Sequence, residues 1–105
     1  MPGSGITFQT IAKTVAAPGT AERVTAVYVR DGQVVSVTAR RSNTQNMYVA
    51  ETQAKAQSGA RKVFIPGQSR DYYLDNTARL WVDADNATDV LEIAIESDTV
   101  GATPA

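Results

Sequence analysis

The sequence predicts an all-β protein, an antiparallel β-sandwich of jelly-roll type with about eight strands. First, the apolar runs between positions 33 and 96 are short and alternating or β-branched, as in QVVSVTA and VLEIAIE, which is typical of half-buried strands. Second, Asn, Gly, Pro or Asp closes these runs, as expected of turns. Third, the 105 residues contain neither histidine nor cysteine. We therefore expect a protein that holds, covers or binds something rather than an enzyme.

The length of the chain allows one domain with one core. We expect the sandwich to occupy residues 6–96, with flexible tails at residues 1–5 and 97–105, because both ends are rich in small and polar residues. The N-terminus lacks the pattern of a signal peptide, and no run approaches the roughly 18 apolar residues of a membrane span. We therefore expect synthesis in the cytoplasm and no contact with a membrane.

Alternation and turn residues together predict each strand and its limits. The predicted strands are residues 6–15, 22–29, 33–41, 47–51, 61–65, 70–74, 79–84 and 90–96. The dipeptide Asp31-Gly32 between two Val-rich runs predicts a β-hairpin. Residues 52–59 (TQAKAQSG) favour a loop with one helical turn over a longer helix.

The period of two also assigns strand faces, because successive side chains point to opposite sides of a sheet. Leu91, Ile93 and Ile95 share one face, and Val35 and Val37 share another. We expect both sets to point into the core.

Adjacent large side chains predict that some aromatic rings lie outside the core. Tyr72 and Tyr73 are neighbours, and Trp81 follows Leu80, so each pair must divide between the two faces of its strand. Aromatic rings on an outer face are typical of interfaces. We therefore expect Tyr48, Tyr73 and Trp81 to contact a partner, either protein or glycan.

No catalytic site or cofactor is predicted. Nucleophilic triads most often use histidine as the base, and the three lysines lie in no recognisable motif. Paired carboxylates could hydrolyse glycosides, with Asp71, Asp75, Asp83 and Glu92 as candidates, but a sandwich of this size rarely has a deep cleft. The formal net charge of −1 argues against nucleic-acid binding, which usually needs a basic face.

One acidic loop permits two interpretations. The segment from Asp83 through Asp85 to Asp89 places oxygen-bearing side chains as a calcium loop does. It lacks the glycine and the later glutamate of an EF-hand. Asp and Asn side chains also cap turns, and we favour this capping role. We expect no metal site, although the sequence leaves the calcium alternative open.

Two segments repeat a pattern, and several turns carry a resemblance. NTQNMYV at residues 43–49 is similar to NTARLWV at residues 76–82, which fits a jelly roll of two Greek keys. The order of APGT (17–20), RRSNT (40–44), MYV (47–49), PGQS (66–69) and LWVDA (80–84) resembles small β-sandwich structural proteins of tailed bacteriophages. The resemblance spans about residues 17–96. Ala50 stands where that group usually has Gly, and Gln68 replaces Glu.

The resemblance implies a virion component, most simply a capsid decoration or cement protein that bridges neighbouring capsid subunits. It implies the major capsid protein or other virion proteins as partners, a homodimer or homotrimer, and a location on the capsid surface. Strand addition at an edge and aromatic anchors would supply the contacts. Three alternatives stay open: a head fibre base, neck or tail protein, a carbohydrate-binding β-sandwich module, and a cellular β-domain unrelated to capsids.

Overall fold

A computed structural model describes residues 9–97, which form eight strands and one short helix. Their bounds are β1 Gln9–Lys13, β2 Glu22–Arg23, β3 Gln33–Ala39, β4 Met47–Ala50, α1 Gln53–Ser58, β5 Lys62–Phe64, β6 Ser69–Tyr72, β7 Trp81–Ala84 and β8 Leu91–Ser97. A 3-10 turn, Thr77–Arg79, precedes β7. The predicted number of strands, eight, is confirmed, and most strands have tighter bounds than predicted. Residues 6–8 of the first predicted strand lie outside the described residues. The predicted tail at residues 1–5, and all of the C-terminal tail beyond Ser97, lie outside the described residues.

The strands form two antiparallel four-stranded sheets. The first sheet has the order β1-β8-β3-β6, and the second has the order β2-β7-β4-β5. Only β4 and β5 are both consecutive in the chain and paired with each other; every other connection passes from one sheet to the other. This arrangement of two Greek keys is that of a jelly roll, so the predicted fold class is confirmed.

The core lies between the sheets, and the predicted strand faces are confirmed. Val35 and Val37 of β3 pair with Ile95 and Ile93 of β8, and all four are at most 1% exposed. The second sheet contributes a matching set of side chains from its inner face. These are Met47, Val49, Phe64, Val82 and Ala84. Full burial of each larger side chain contributes about 1.5–3 kcal/mol, so this core holds the two sheets together.

The repeated sequence pattern has a structural counterpart in the second sheet. Residues 43–49 lead into β4 and residues 76–82 lead into β7, and these strands are antiparallel neighbours. Val49 lies directly opposite Val82, and these two valines occupy the same position in the repeated pattern. The two copies therefore meet around a local twofold axis at the centre of the sheet.

The hairpin predicted at Asp31-Gly32 is wrong, although a tight turn is present. Gly32 has a φ of 83°, and the Gln33 N–H donates to the Arg30 carbonyl at 3.1 Å. The strands on either side, β2 and β3, belong to different sheets. The turn therefore carries the chain from one sheet to the other, because turn chemistry fixes the bend and not the pairing partner.

The strand predicted over residues 22–29 is regular only at β2. Beyond it the backbone stays beside residues 75–80 through single bonds, such as Val24 N–H to the Leu80 carbonyl at 3.0 Å. Thr77 fills the irregular part: its hydroxyl accepts from the Val27 N–H at 2.8 Å and donates to the Thr25 carbonyl at 2.6 Å. Since Thr77 is fully buried, these bonds replace regular strand pairing.

Within residues 52–59, where a loop with one helical turn was predicted, Gln53–Ser58 form a helix, α1, of six residues, so that prediction is wrong. Thr52 caps its start by accepting from the Lys55 N–H, and Gly59 closes its end by donating to the Lys55 carbonyl. A helix this short is unstable alone. It is held because Ala56, which is fully buried, packs on Ala21 and Ala50 outside the second sheet. Within residues 9–97 no helix is long and apolar enough to cross a membrane.

Candidate functional site

Two tyrosines project into solvent at one end of the sandwich. Tyr73 is 71% exposed and Tyr28 is 70% exposed, and both line a shallow groove of about 320 Å³ beside the turn at residues 30–33. We call this surface, formed by Tyr28 and Tyr73, the tyrosine groove. Tyr73 lies off the core face as predicted, while its neighbour Tyr72 packs against the core.

Tyr28 was missed by the sequence analysis, although its signal was present. Val29 is 4% exposed, so the alternation that predicts an outward ring beside Tyr72 applies equally to Tyr28. Strand faces were not predicted for the Val-rich run that contains Tyr28, so its outward position was not expected.

The backbone under the tyrosine groove is well supported. Val29 N–H donates to the Asp75 carbonyl at 2.9 Å, which joins the segments that carry the two rings. The adjoining turn is closed twice, by Gln33 N–H to the Arg30 carbonyl at 3.1 Å and by Arg30 N–H to Gln33 Oε1 at 2.8 Å. The exposed rings are therefore presented on a fixed frame, which lowers the entropic cost of binding.

Trp81, the second predicted contact residue, faces away from the core but is half-buried. Its ring packs on the small cluster of Ala21, Ala50 and Ala56 beneath α1. On the other side the Arg23 guanidinium lies 4.8 Å from the ring centroid, at cation–π distance. The ring therefore anchors α1 to the second sheet.

Tyr48, the third predicted contact residue, is also engaged within the chain. The Arg61 guanidinium lies 3.6 Å above its ring, and its hydroxyl donates to Asp85 at 2.7 Å. The hydrogen bond to the Asp85 carboxylate, followed by partial burial, raises the pKa of Tyr48 above its ordinary value. Both effects favour the neutral phenol that donates to Asp85.

Arg61 links several of these elements. Its Nη1 donates to the carbonyls of Ala56 and Gln57, at 2.9 and 2.8 Å, near the end of α1. The same nitrogen lies 4.0 Å from the buried carboxylate of Asp83. One side chain thus satisfies the end of the helix, balances a buried charge and covers the Tyr48 ring.

The structure does not bring the three predicted residues together. Tyr48 and Trp81 lie on adjacent strands, β4 and β7, on the outer face of the second sheet. Tyr73 follows β6, at the edge of the first sheet. The two sets belong to different surfaces, one covered and one open.

A second exposed apolar surface lies on β5, the edge strand of the second sheet. Val63 is 41% exposed and Ile65 is 56% exposed, and both flank Phe64, which is fully buried as the alternation requires. We call Val63 and Ile65 the β5 edge patch. The β5 edge patch precedes β6 in the chain, and Tyr73 of the tyrosine groove directly follows β6.

The Asp89 carboxylate of the acidic loop is committed to support of the backbone. It is 2% exposed and accepts from the Thr44 and Gln45 N–H groups at 3.0 and 2.8 Å. It therefore fastens the loop before β8 to the loop before β4.

The two other carboxylates of the loop also have protein donors. Asp83 accepts from Gly19 N–H at 2.9 Å and from Ala84 N–H at 2.8 Å, and Asp85 accepts from the Tyr48 hydroxyl. Apart from the Ala84 bond, these bonds join the three aspartates to distant segments, and the turn between β7 and β8 is capped by Asn86, whose Oδ1 accepts from the Thr88 N–H at 2.9 Å. No cluster of three or more His, Cys, Asp or Glu side chains that could hold a metal occurs in the part of the chain that the structure describes.

The carboxylates considered for glycoside hydrolysis do not form a shared site. Asp75 is paired with Arg79 and Glu92 with Arg40. Asp83 lies on the second sheet, and Asp71 lies on β6 of the first sheet. Two of the four carboxylates are therefore held in ion pairs, and the other two lie on different sheets.

Comparisons of the chain with protein-family models, with curated proteins and with solved structures found no match. The candidate contact surfaces are the tyrosine groove and the β5 edge patch, because they contain the exposed large hydrophobic residues of the described chain.

Proposed function

We propose that this chain is a structural protein of a tailed-bacteriophage virion, a capsid decoration protein that bridges neighbouring capsid subunits on the head surface. The jelly-roll strand order supports the proposal, because it is the fold that the resemblance implies and one that recurs in viral capsid proteins. Fold alone does not define function, so the proposal depends on the surfaces.

The observation that carries the proposal is the presence of two separate exposed apolar surfaces on one rigid domain. The tyrosine groove and the β5 edge patch contain the large hydrophobic residues that are most exposed in residues 9–97. Strand β6, about 13 Å long at 3.3 Å per residue, lies between Ile65 and Tyr73 along the chain. A bridging protein needs two such contacts, and aromatic anchors commonly carry the binding energy.

One turn that carries the phage resemblance also positions the β5 edge patch. In the PGQS turn, Gly67 N–H donates to the Ala39 carbonyl at 2.8 Å, and Ala39 N–H donates to the Gln68 carbonyl at 2.9 Å. Gln68 Oε1 accepts from the Ile65 N–H at 3.1 Å. The turn thereby fixes Ile65 against the end of β3, so the motif has a direct structural role beside a proposed contact.

The physical basis of the proposed bridging is avidity. Each surface is small, and a single contact of this kind is weak. When one domain touches two subunits that the lattice already holds in place, the second contact forms at a high effective concentration. Repetition over the head would then stabilise the shell without a large interface at any one site.

The proposal is tested by the copy number of this chain in particles. Particles of the phage that encodes it are purified, and the chain is quantified by mass spectrometry against the major capsid protein. Decoration predicts hundreds of copies per particle, in a simple ratio to the capsid protein. A dozen copies or fewer would favour a neck, tail or head fibre base protein, and absence from particles would contradict any virion role.

We also propose a homodimer or homotrimer, as the resemblance implies. Sedimentation equilibrium of the purified chain measures this directly. A mass of two or three chains is expected at micromolar concentration, and a monomer that persists at high concentration would contradict it.

A carbohydrate-binding module is the second candidate, favoured by the composition of the tyrosine groove. Arg30 and Asp31 line the groove beside the two exposed rings, and sugar sites combine aromatic faces with a few polar groups. An array of neutral and acidic oligosaccharides tests this with the isolated chain. Binding that Tyr73→Ala abolishes would support it, whereas no binding on the array would reject it.

A further inference from the structure

A cleft opens between the two sheets on one side of the sandwich. Strand β5 is the edge of the second sheet, and β6 is the edge of the first. Between them lies a cleft of about 300 Å³ that is floored by Val49, Leu74 and Leu80, with Tyr72 along one wall. Both edge strands have one side without a pairing partner among residues 9–97, so a cleft for an apolar side chain lies beside free backbone donors and acceptors.

Each of these free edges carries a cation on its inner face: Lys62 lines the cleft, and Arg70 is exposed, two residues before Tyr72. Lys62 lies opposite Val49, a core residue, so its side chain is on the inner face of β5. Arg70 lies opposite Val37, another core residue, on the inner face of β6. Inward-pointing charges on edge strands are one of the devices by which natural sheets oppose edge-to-edge pairing.

These two cations lack an ion-pair partner, in contrast to the other charges at the cleft. Glu51 and Arg79 also line it, but they are paired with Lys55 and Asp75. Neither Lys62 nor Arg70 forms a salt bridge within the described part of the chain. The uncompensated charge beside the apolar floor is therefore positive.

This charge pattern selects the occupant. Inward-facing charges prevent indiscriminate edge pairing, and two copies of this chain that met along these edges would oppose like charges. An extended segment with acidic residues on either side of an apolar one meets no such penalty. Its apolar side chain can fill the cleft, its carboxylates can bond Lys62 and Arg70, and its backbone can pair with a free edge.

We infer that the cleft between β5 and β6 binds an extended acidic and apolar segment of a neighbouring virion protein by strand addition. The identity of that neighbour rests on the proposed function, whereas the chemistry of the cleft does not. The same two cations thus reject self-association at these edges and select the partner.

The test uses the whole chain, labelled with ¹⁵N, and two capped synthetic peptides, Glu-Val-Leu-Val-Glu and Lys-Val-Leu-Val-Lys. The acidic peptide should shift the amide signals of β5 and β6. It should bind roughly threefold to tenfold more tightly than the basic peptide, as expected for two partly exposed ion pairs. In the double variant Lys62→Glu with Arg70→Glu, the preference should reverse.

Arg41→Glu provides a control, because it reverses one charge at an exposed turn position after β3 that does not line the cleft. It should keep the preference for the acidic peptide. The ¹⁵N spectrum reports folding, and if the double charge reversal unfolds the chain, Lys62→Gln with Arg70→Gln should abolish the preference. Absence of shifts in β5 and β6, or equal affinity for both peptides, would overturn the inference.

The peptide experiment needs no particles, so its failure is separate from that of the proposed function. Acidic-peptide binding by a chain that is absent from particles would reject the virion role and leave the cleft intact. A chain abundant in particles that binds neither peptide would reject the cleft alone.

Discussion

The aromatic rings outside the core lie in two regions that differ in their exposure to solvent. Tyr48 and Trp81, on the outer face of the second sheet, are half-buried and each lies under an arginine. Tyr28 and Tyr73, at the end of the sandwich, are about 70% exposed. All four point away from the core, so direction alone does not make a ring available to a partner. What decides is whether another element of the chain covers it.

The cover over the second sheet comes from α1, from Arg23 on the edge strand β2 and from Arg61, which precedes the edge strand β5. Gln53 and Gln57 of α1 bond the carbonyl and the N–H of Ala21, both at 3.0 Å, so the helix is tied to the connection before β2. Arg23 and Arg61 then occupy the ring faces that the helix leaves. Within residues 9–97 no comparable element lies over the tyrosine groove, and this difference leads to four predictions.

The largest expected difference is between truncation of a covered ring and truncation of a free one. Trp81→Ala should lower the free energy of unfolding by about 2–3 kcal/mol, somewhat less than for a fully buried Trp, because the ring packs on the alanines beneath α1. Tyr73→Ala should change it by less than about 0.5 kcal/mol. Urea unfolding of both variants measures the contrast, and equal losses would remove the distinction between the regions.

A smaller effect is expected from Arg61, which joins α1 to the covered face. Arg61→Met should lower the free energy of unfolding by about 1–2 kcal/mol, because the carbonyls of Ala56 and Gln57 lose a charged donor. Arg30→Met, in the open region, should change it by less than about 0.5 kcal/mol. Thermal unfolding of the pair checks this, and a stability loss in the Arg30 variant as large as that in the Arg61 variant would argue against it.

A third prediction concerns the pH dependence of stability and the carboxylate of Glu22, on β2 of the second sheet. Its bond from Lys13 Nζ at 2.8 Å, and then that from Ala16 N–H at 2.7 Å, lower its pKa below the ordinary 4.5. A lowered pKa in the folded state stabilises the fold above the unfolded value, and this stability is lost as the pH falls through the folded value.

Glu22→Gln should therefore cost about 1 kcal/mol at pH 7, after allowance for partial exposure. The cost should shrink as the pH falls below 4.5, toward and then through the lowered pKa of Glu22. Unfolding of both chains across this range measures it. Glu51→Gln breaks a more exposed ion pair with Lys55, which also lowers the pKa of Glu51, so it should show the same pH dependence with a much smaller cost. A constant cost for Glu22→Gln at all pH values would contradict the linkage.

The smallest effect is expected for the Tyr48 hydroxyl. Tyr48→Phe removes its bond to Asp85 and should cost about 0.5 kcal/mol at pH 8, since this bond is exposed. The pKa of Tyr48 is raised above the ordinary 10.0, so the stabilisation is present below pH 10 and is lost as the pH rises through the folded value. The two chains should then converge in stability at high pH; a difference that grows there would show the opposite sign.

Strand positions and faces could be predicted from the sequence because both depend on local patterns. Alternation placed Val35, Val37 and Ile93 in the core, and turn residues closed every strand except β2 within two residues of its observed end. Which strands pair is a long-range property. For that reason the tight turn at Gly32 was expected, while its role as a link between sheets was not.

The candidate site was only partly predictable for the same reason. Adjacency to Tyr72 placed Tyr73 outside the core, but no local pattern indicates that α1 will dock beside Trp81. The helix was expected to be a single turn because the local sequence favours no more than that. The full helix is stabilised by contacts of Ala56 with Ala21 and Ala50, which are distant in the sequence. The cleft between β5 and β6 depends on both sheet orders, so it could not be inferred before the fold.

The most direct test of a function based on contact is retention of folded variants on particles. Purified wild-type chain and the double variant Tyr28→Ser with Tyr73→Ser are added to heads stripped of this chain, and bound protein is measured after sedimentation. Urea unfolding should show equal stability for both, and Arg41→Ser should bind as wild type does. The proposed role predicts that the double variant is largely lost from heads. Full retention of that variant would contradict the tyrosine groove as a contact surface.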